Sequence, residues 1–157
     1  MAPVESPGRW RTMSKVLIVD DHAFIRRGVQ AILRPFPEWE FCGEAENGND
    51  AIRMAEELKP EVIIMDVSMP GLNGIEATRA IHKSQPKIKI ILLTLHESTE
   101  LVRGAFRAGA SGFLLKTDTE RELVKALNAV VGEKSYISPK IDGEVIKSVI
   151  GEMRPAN

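Results

Sequence analysis

The stretch Val16-Leu17-Ile18-Val19-Asp20-Asp21 is the strongest indication of how this chain folds, because an apolar run leads directly into two acids. Continuous apolar runs are typical of parallel strands that are covered on both faces. The acids must emerge where the strand ends, since burying an unpaired charge carries a large free-energy cost. The stretch therefore predicts a buried strand that ends at an acidic edge.

Two further apolar runs end in a charge in the same way. Val62-Ile63-Ile64-Met65 leads into Asp66, and Phe113-Leu114-Leu115 leads into Lys116. If these strands are parallel, their carboxyl ends lie at one edge of the sheet. We then expect the two acids of the first stretch, the third acid and the lysine to share one pocket.

Helical periodicities separate the predicted strands. Ile25, Val29 and Ile32 recur at helical spacing after the first strand, and amphipathic patterns follow the later strands. Thr119 and Glu122 have the spacing of a capping box at the start of the last helix of this series. The alternation predicts an α/β fold with a doubly wound, five-stranded parallel sheet and helices on both faces. The predicted strands are Val16–Val19, Glu38–Ala45, Val62–Met65, Ile88–Leu93 and Ser111–Leu115.

Composition limits the functions that this chain can have. Its 157 residues are 43% hydrophobic and carry a formal net charge of −1. These values fit one globular domain without a general attraction for nucleic acid. The single cysteine, Cys42, cannot form an internal disulfide, and no apolar run approaches the roughly 20 residues of a membrane-spanning helix. Because a signal-peptide pattern is also absent, we expect a cytoplasmic protein.

The two ends of the chain differ from its centre. Residues 1–14 combine prolines with mixed charges and predict a flexible N-terminal leader, whereas residues 15–132 predict one folded domain. Residues 133–157 predict a C-terminal linker or short helix, in which Ser138-Pro139 is a favourable helix start. This segment is neither long nor basic enough for a helix-turn-helix. We therefore expect no complete effector domain in this chain.

The acids at the predicted edge suit a hard cation. Neighbouring carboxylates repel each other, and Mg²⁺ prefers oxygen ligands while keeping several waters. We expect Asp21 to bind the metal directly and Asp20 to act through water. Asp66 is the expected nucleophile for a phosphoryl group, because a loop rich in glycine and proline follows it. Lys116 and the Thr94 hydroxyl would contact the phosphoryl oxygens.

Structural roles remain alternatives for several of these residues. Asp20 or Asp21 could cap the first helix. Thr94 could be an ordinary strand residue, and Lys116 could be a solvated surface lysine. His22 is expected at the rim of the pocket rather than as a metal ligand.

Two other activities on the same architecture are disfavoured. A phosphatase with an aspartate nucleophile needs a second aspartate two residues after Asp66, where Ser68 stands. A nucleotide- or flavin-binding module needs a glycine-rich turn after the first strand, where this chain has acids that would repel a pyrophosphate.

Four motifs, each at the end of a predicted strand, together resemble the receiver domain of bacterial two-component response regulators. They are Val19-Asp20-Asp21-His22, residues 65–74, Leu93-Thr94 and Gly112-Phe113-Leu114-Leu115-Lys116. The first and last of these are most similar to the NarL/LuxR-type subfamily. The resemblance covers Lys15 to about Val131 and implies the CheY-like, flavodoxin-like strand order 2-1-3-4-5.

The resemblance also implies a phosphoacceptor switch and its partners. Asp66 would take a phosphoryl group from a sensor histidine kinase or phosphotransfer protein, with Mg²⁺ held by Asp21, Asp66 and the backbone carbonyl of Ser68. Thr94 and Phe113 would carry the conformational switch. Output would run through a protein partner, through a homodimer formed on phosphorylation, or through a C-terminal DNA-binding effector outside this chain that regulates transcription. Enzymatic activity would be limited to self-phosphorylation from small phosphodonors and autodephosphorylation.

Two positions depart from the family pattern. Phe113 stands where the family often has a tyrosine, so this side chain cannot form a hydroxyl hydrogen bond. Thr117 follows Lys116 where the family often has a cis-proline. Because a cis bond without proline costs roughly 2.5–4 kcal/mol, we expect a trans bond or a locally different loop. These departures leave a pseudo-receiver, a protein-interaction module without phosphorylation, as the alternative function.

Overall fold

A computed structural model describes residues 13–96 and 98–141, together with residues 143 and 147. Strands and helices alternate along this part of the chain. The strands are β1 Ser14–Val19, β2 Trp39–Ala45, β3 Val62–Asp66, β4 Lys89–Thr94, β5 Gly112–Leu115 and β6 Tyr136–Ile137. The helices between them are α1 Ala23–Leu33, α2 Gly48–Leu58, α3 Gly74–Ser84, α4 Thr99–Arg107 and α5 Thr119–Val131.

All neighbouring strands pair in parallel, in the order β2-β1-β3-β4-β5-β6. This order confirms the predicted doubly wound sheet and extends it by one strand. The order reverses beside β1, which pairs with β2 on one side and with β3 on the other. The carboxyl ends of β1 and β3 therefore lie next to each other, where such folds bind ligands.

Helices cover both faces of the sheet, which explains the continuous apolar runs. Successive residues of a strand point to opposite faces. On one face, Ile18 and Ile64 belong to a buried cluster with residues of α1 and α5. On the other face, Leu17 and Ile63 belong to a second cluster with residues of α2, α3 and α4. Each position of β3 and β5, and of the apolar run in β1, is thus buried whichever face it points to.

The short strand β6 was not predicted. Tyr136 pairs with Gly112 and Ile137 with Phe113, and the amide of Ser138 donates to the carbonyl of Phe113 at 2.9 Å. Ile141, only 2% exposed, belongs to the core cluster that includes Phe113. Packing therefore continues beyond residue 132, into the segment for which the sequence predicts a linker.

Some expectations concern residues that lie outside the described part of the chain. The leader over residues 1–14 is described only at positions 13 and 14. The helix predicted from Pro139 is described over residues 139–141, which form a turn and a bend, and at positions 143 and 147. Within the described residues, no helix is long and apolar enough to cross a bilayer.

Candidate metal and phosphoryl site

Three acids converge at the carboxyl ends of β1 and β3. Asp20 and Asp66 are almost completely buried, with exposures of 1% and 2%, while Asp21 is partly exposed. Oxygen atoms of these three acids and a ring nitrogen of His22 all lie within 4.8 Å of one another. The structure thus brings together the acids that the sequence analysis assigned to one pocket.

Lys116 enters the same pocket from the end of β5. Its Nζ atom lies 3.2 Å from Oδ2 of Asp66 and 3.3 Å from Oδ2 of Asp20. The side chain is only 12% exposed, which does not fit a solvated surface lysine. The backbone turns here into a 3₁₀ helix over Lys116–Asp118, and the described residues contain no cis peptide bond. The expected trans bond before Thr117 therefore occurs together with the expected lysine contacts.

The charge balance of the pocket favours an additional cation. Burial, followed by repulsion from Asp20, raises the pKa of the Asp66 carboxyl above its usual range. Lys116 and the backbone amide of Ser68 oppose this shift but do not reverse it. One lysine thus leaves the acids under-neutralised.

Two carboxylate oxygens in the pocket are suited to bind a divalent ion. Oδ2 of Asp20 and Oδ1 of Asp21 are buried and accept no hydrogen bond from any residue that the structure describes. Buried oxygens without hydrogen bonds are costly unless a water or ion satisfies them. The donor set, mainly carboxylate oxygens at one sheet edge, fits Mg²⁺.

The loop after β3 is folded tightly against Asp66. The amide of Ser68 donates to Oδ1 of Asp66 at 3.2 Å, and the amide of Gly74 donates to the carbonyl of Val67 at 2.8 Å. A Cβ atom at position 74 would lie 2.2 Å from the carbonyl oxygen of Asp66. Glycine is therefore required where α3 begins, since any side chain would displace the backbone of Asp66.

Arg26 supports the acidic loop from α1, a role that the sequence analysis did not identify. One guanidinium nitrogen donates to the backbone carbonyl of Asp20 at 2.6 Å, and Nε donates to Glu44 at 2.6 Å. Hydrogen bonding to Arg26 lowers the pKa of the Glu44 carboxyl. The guanidinium thus connects the end of β1 to the end of β2. No local pattern in the sequence signals these contacts, because they depend on how α1 packs.

His22 lies at the rim of the pocket, with its ring 65% exposed and close to the acids. Its backbone amide donates to Oδ1 of Asp20 at 2.8 Å. Its Nδ1 atom lies 3.2 Å from that oxygen and 3.1 Å from Oδ1 of Asp21. His22 itself is the N-cap residue of α1, and no side-chain hydrogen bond caps this helix. The capping alternative for Asp20 and Asp21 is therefore wrong.

Thr94 and Phe113 lie beside the pocket on β4 and β5. Thr94 ends β4, is 3% exposed, and accepts a hydrogen bond at Oγ1 from the amide of His96 at 3.2 Å. It pairs with Leu115, the residue before Lys116. Phe113 is completely buried in the core cluster that includes residues of α4.

Most of the chain is similar to known proteins. The response regulator receiver domain family matches residues 16–128. Response regulator GacA of Pseudomonas aeruginosa is 41% identical over 129 residues, which cover 82% of this chain and 60% of GacA. Response regulator UvrY of Escherichia coli K12 is 38% identical over 138 residues, which cover 88% of this chain and 63% of UvrY. The chain thus spans about three-fifths of the length of these curated relatives.

Solved structures show the same similarity in three dimensions. A two-component response regulator of the LuxR family from Aurantimonas sp. SI85-9A1 superposes with a TM-score of 0.80 at 30% identity, covering 90% of this chain and 98% of that one. The signal receiver domain of NarL from Mycobacterium tuberculosis superposes with a TM-score of 0.75 at 30% identity, covering 79% of this chain and all of the other.

Proposed function

We propose that this chain, which belongs to the response regulator receiver domain family, accepts a phosphoryl group on Asp66. Receiver domains of this family are phosphoacceptor signalling switches of two-component systems. The observation that carries the assignment to Asp66 is the contact of Lys116 with this buried carboxylate at 3.2 Å, beside acids with unsatisfied oxygens. The comparisons give no support to the pseudo-receiver alternative.

The proposed phosphoryl transfer also uses a divalent cation. Asp21, Asp66 and the backbone carbonyl of Ser68 would hold Mg²⁺, and Asp20 would contact it through water. The cation would supply positive charge beside the acids and the phosphoryl oxygens. The oxygens of Asp20 and Asp21 that accept no hydrogen bond from the described residues support its binding here.

The transfer step uses the carboxylate of Asp66 as nucleophile. One of its oxygens attacks the phosphorus atom of a phosphohistidine and forms an acyl phosphate. The N–P bond breaks, its electron pair returns to the imidazole nitrogen, and that ring takes up a proton. Lys116 then contacts phosphoryl oxygens as a compact positive charge. Such transfer depends mainly on positioning and charge neutralisation.

The conformational response would depend on Thr94 and the loops around it. Thr94 is buried at the end of β4 and offers a hydroxyl donor. Phe113 is fully buried and has no hydroxyl to engage. A shift from mostly inactive to mostly active needs about 5.5 kcal/mol of differential interaction. New contacts of the phosphoryl group with Thr94 and Lys116 would supply part of this energy.

An exposed apolar rim beside the pocket supports a protein as phosphodonor. Phe24 is 77% exposed and Leu95 is 65% exposed. With Lys116 they border an open cavity of about 400 Å³. Exposed apolar surface of this kind marks interaction sites, and a sensor histidine kinase or phosphotransfer protein docked here would reach Asp66.

A transcriptional output is inferred from a curated relative. DegU of Brevibacillus brevis, 38% identical over 133 residues, is a transcriptional regulatory protein of which this chain spans 56%. By analogy, residues 15–132 form the receiver unit, and phosphorylation controls transcription in the cytoplasm through a C-terminal DNA-binding effector. Pairing of two phosphorylated copies would be the intermediate event.

Labelling with acetyl phosphate tests the assignment of Asp66. Incubation with Mg²⁺ should add one phosphoryl group to the wild-type chain, measured by intact-mass spectrometry, and Asp66→Asn should abolish it. Asp50→Asn, which changes an acid on α2 whose side chain is 45% exposed, is the matched control and should be labelled normally. Equal labelling of Asp66→Asn would refute the assignment, and Mg²⁺ binding without labelling of the wild type would favour a pseudo-receiver.

A further inference from the structure

We propose that His22 makes the acidic pocket a mixed nitrogen and oxygen site, which binds transition-metal ions such as Ni²⁺ as well as Mg²⁺. The inference rests on the proposed function, because it concerns the same metal pocket. It goes further in assigning a ligand role to His22 and a second class of cation to the site.

The geometry places the imidazole among the metal-binding oxygens. Nδ1 of His22 lies 3.1 Å from Oδ1 of Asp21 and 3.2 Å from Oδ1 of Asp20. One ligand atom from each of these residues and from Asp66 fits within a 4.8 Å cluster. A single ion at the centre of such a cluster would be within reach of both nitrogen and oxygen donors.

The backbone holds the histidine at this position. The amide of His22 donates to Oδ1 of Asp20 at 2.8 Å, and its carbonyl accepts from the amides of Ile25 and Arg26 in the first turn of α1. The ring itself is 65% exposed and can turn about its side-chain bonds. Hydrogen bonds therefore hold the backbone of His22 in place, while its imidazole ring can rotate.

A second feature indicates that an ion is needed in this pocket. Oδ2 of Asp20 accepts no hydrogen bond from the described residues although its side chain is only 2% exposed. Its ion pair with Lys116 at 3.3 Å is shared with Asp66. Because one lysine is shared by two buried carboxylates, the pocket favours an additional cation that Asp21 and His22 would hold, with Asp20 contacting it through water.

The chemistry of the donors determines which ions benefit. Mg²⁺ prefers oxygen ligands and gains little from imidazole. Imidazole suits Ni²⁺, Cu²⁺ and Zn²⁺, which bind mixed nitrogen and oxygen sites more tightly than Mn²⁺ or Mg²⁺ do. A nickel ion held by His22 and Asp21 would occupy the region in front of Asp66 and exclude Mg²⁺. The identity of the bound metal would thereby control phosphoryl transfer.

Calorimetric titration of the untagged, full-length chain with Ni²⁺ and with Mg²⁺ tests the inference. For the wild type, excess Mg²⁺ should weaken Ni²⁺ binding competitively, and Asp21→Asn should weaken binding of both ions. His22→Gln removes the imidazole and should lower the ratio of Ni²⁺ to Mg²⁺ affinity by about tenfold or more. Losses of this size are typical when residues that support a metal site are replaced. His96→Gln, an exposed histidine near the pocket, should leave that ratio unchanged.

Two results would overturn the inference. One is an unchanged affinity ratio in His22→Gln. The other is Ni²⁺ binding that neither Mg²⁺ nor Asp21→Asn affects, because the ion would then occupy another site. These measurements do not involve phosphorylation, so they are independent of the labelling test. Failure of the wild-type chain to be labelled, together with intact Ni²⁺ competition, would refute the proposed function alone.

Discussion

Single hydrogen bonds determine how the acidic loop is held. Asp20 points two groups in different directions: its carboxylate faces Lys116, and its backbone carbonyl accepts from Arg26. Arg26 is only 12% exposed and donates to Glu44 at the same time. A guanidinium that donates to two different acceptors fixes their geometry as well as supplying charge. We therefore regard Arg26 as a positioning residue for the metal site.

Replacing Arg26 should weaken Mg²⁺ binding. Arg26→Met removes both contacts while keeping an apolar stem, and we expect about a tenfold loss of affinity, as for other groups that orient metal ligands. Arg26→Lys should recover only part of it, since an ammonium cannot make both contacts in the same geometry. Mg²⁺ titration calorimetry measures the effect, with Arg27→Met, an exposed neighbour, as control. Wild-type affinity in Arg26→Met would contradict this role.

At the level of elements, β6 is attached to the start of α5 by side chains. The hydroxyl of Tyr136 donates to the carboxylate of Glu122, and the hydroxyl of Ser138 donates to Asp118 at 2.7 Å. The capping box predicted from Thr119 and Glu122 is therefore wrong. The hydroxyl of Thr119 instead donates to the carbonyl of Lys116 at 3.0 Å. The carboxylate of Glu122 accepts the hydrogen bond from Tyr136 of β6. The tertiary partner of Glu122 replaces the local one.

The attachment of β6 predicts an abnormal tyrosine titration. Burial, and then the bond to Glu122, raise the pKa of Tyr136 from 10.0 to about 12. Because the chain has one tyrosine, absorbance at 295 nm reports on Tyr136 alone. The folded chain should titrate near pH 12, and Glu122→Gln should shift the midpoint toward 10, whereas Glu120→Gln, an exposed control on the same helix, should not.

The same shift has a defined effect on stability. Below pH 10 the phenol is neutral in both folded and unfolded chains, so its contribution to the free energy of unfolding is complete. Between pH 10 and about 12 the unfolded chain loses the proton first, and this contribution is lost as the pH rises. A normal midpoint near 10 in the folded chain would show that Tyr136 does not bind Glu122.

At the scale of the whole molecule, the site couples distant parts of the chain. Its acids follow β1 and β3, and its lysine follows β5, so the ligands assemble only when the sheet forms. An ion that binds this assembly binds the folded state and stabilises it by mass action. Binding of an ion in the pocket would therefore raise the free energy of unfolding of the entire domain.

Mg²⁺ should raise the melting temperature of the chain. At a free concentration 100 times the dissociation constant, the stabilisation is about 2.7 kcal/mol, which corresponds to roughly 5–10 °C for a domain of this size. Asp21→Asn should lose most of this shift, and Asp50→Asn should retain it. Differential scanning calorimetry with and without Mg²⁺ measures both. An equal shift in Asp21→Asn would place the ion elsewhere.

Much of the site could be predicted because it follows from the pattern of the sheet. The apolar runs before Asp20, Asp66 and Lys116 identify buried strands, and parallel pairing brings their ends to one edge. The two residues of β6 could not be predicted in this way, because so short a strand has no periodicity to detect. Its place depends on the free edge of β5 and on partners on α5.

The sequence by itself determined the fold class, the strand order implied by its family resemblance, and the edge at which the charges gather. It could do so because strands buried on both faces need continuous apolar runs, which can be recognised along the chain. Only the tertiary structure decided which neighbours the charges contact. Arg26 reaches Asp20 and His22 faces the acids because helix packing sets side-chain directions to within an ångström, and spacing along a chain contains no such information. The tertiary structure likewise assigned Glu122 to Tyr136 rather than to its own helix.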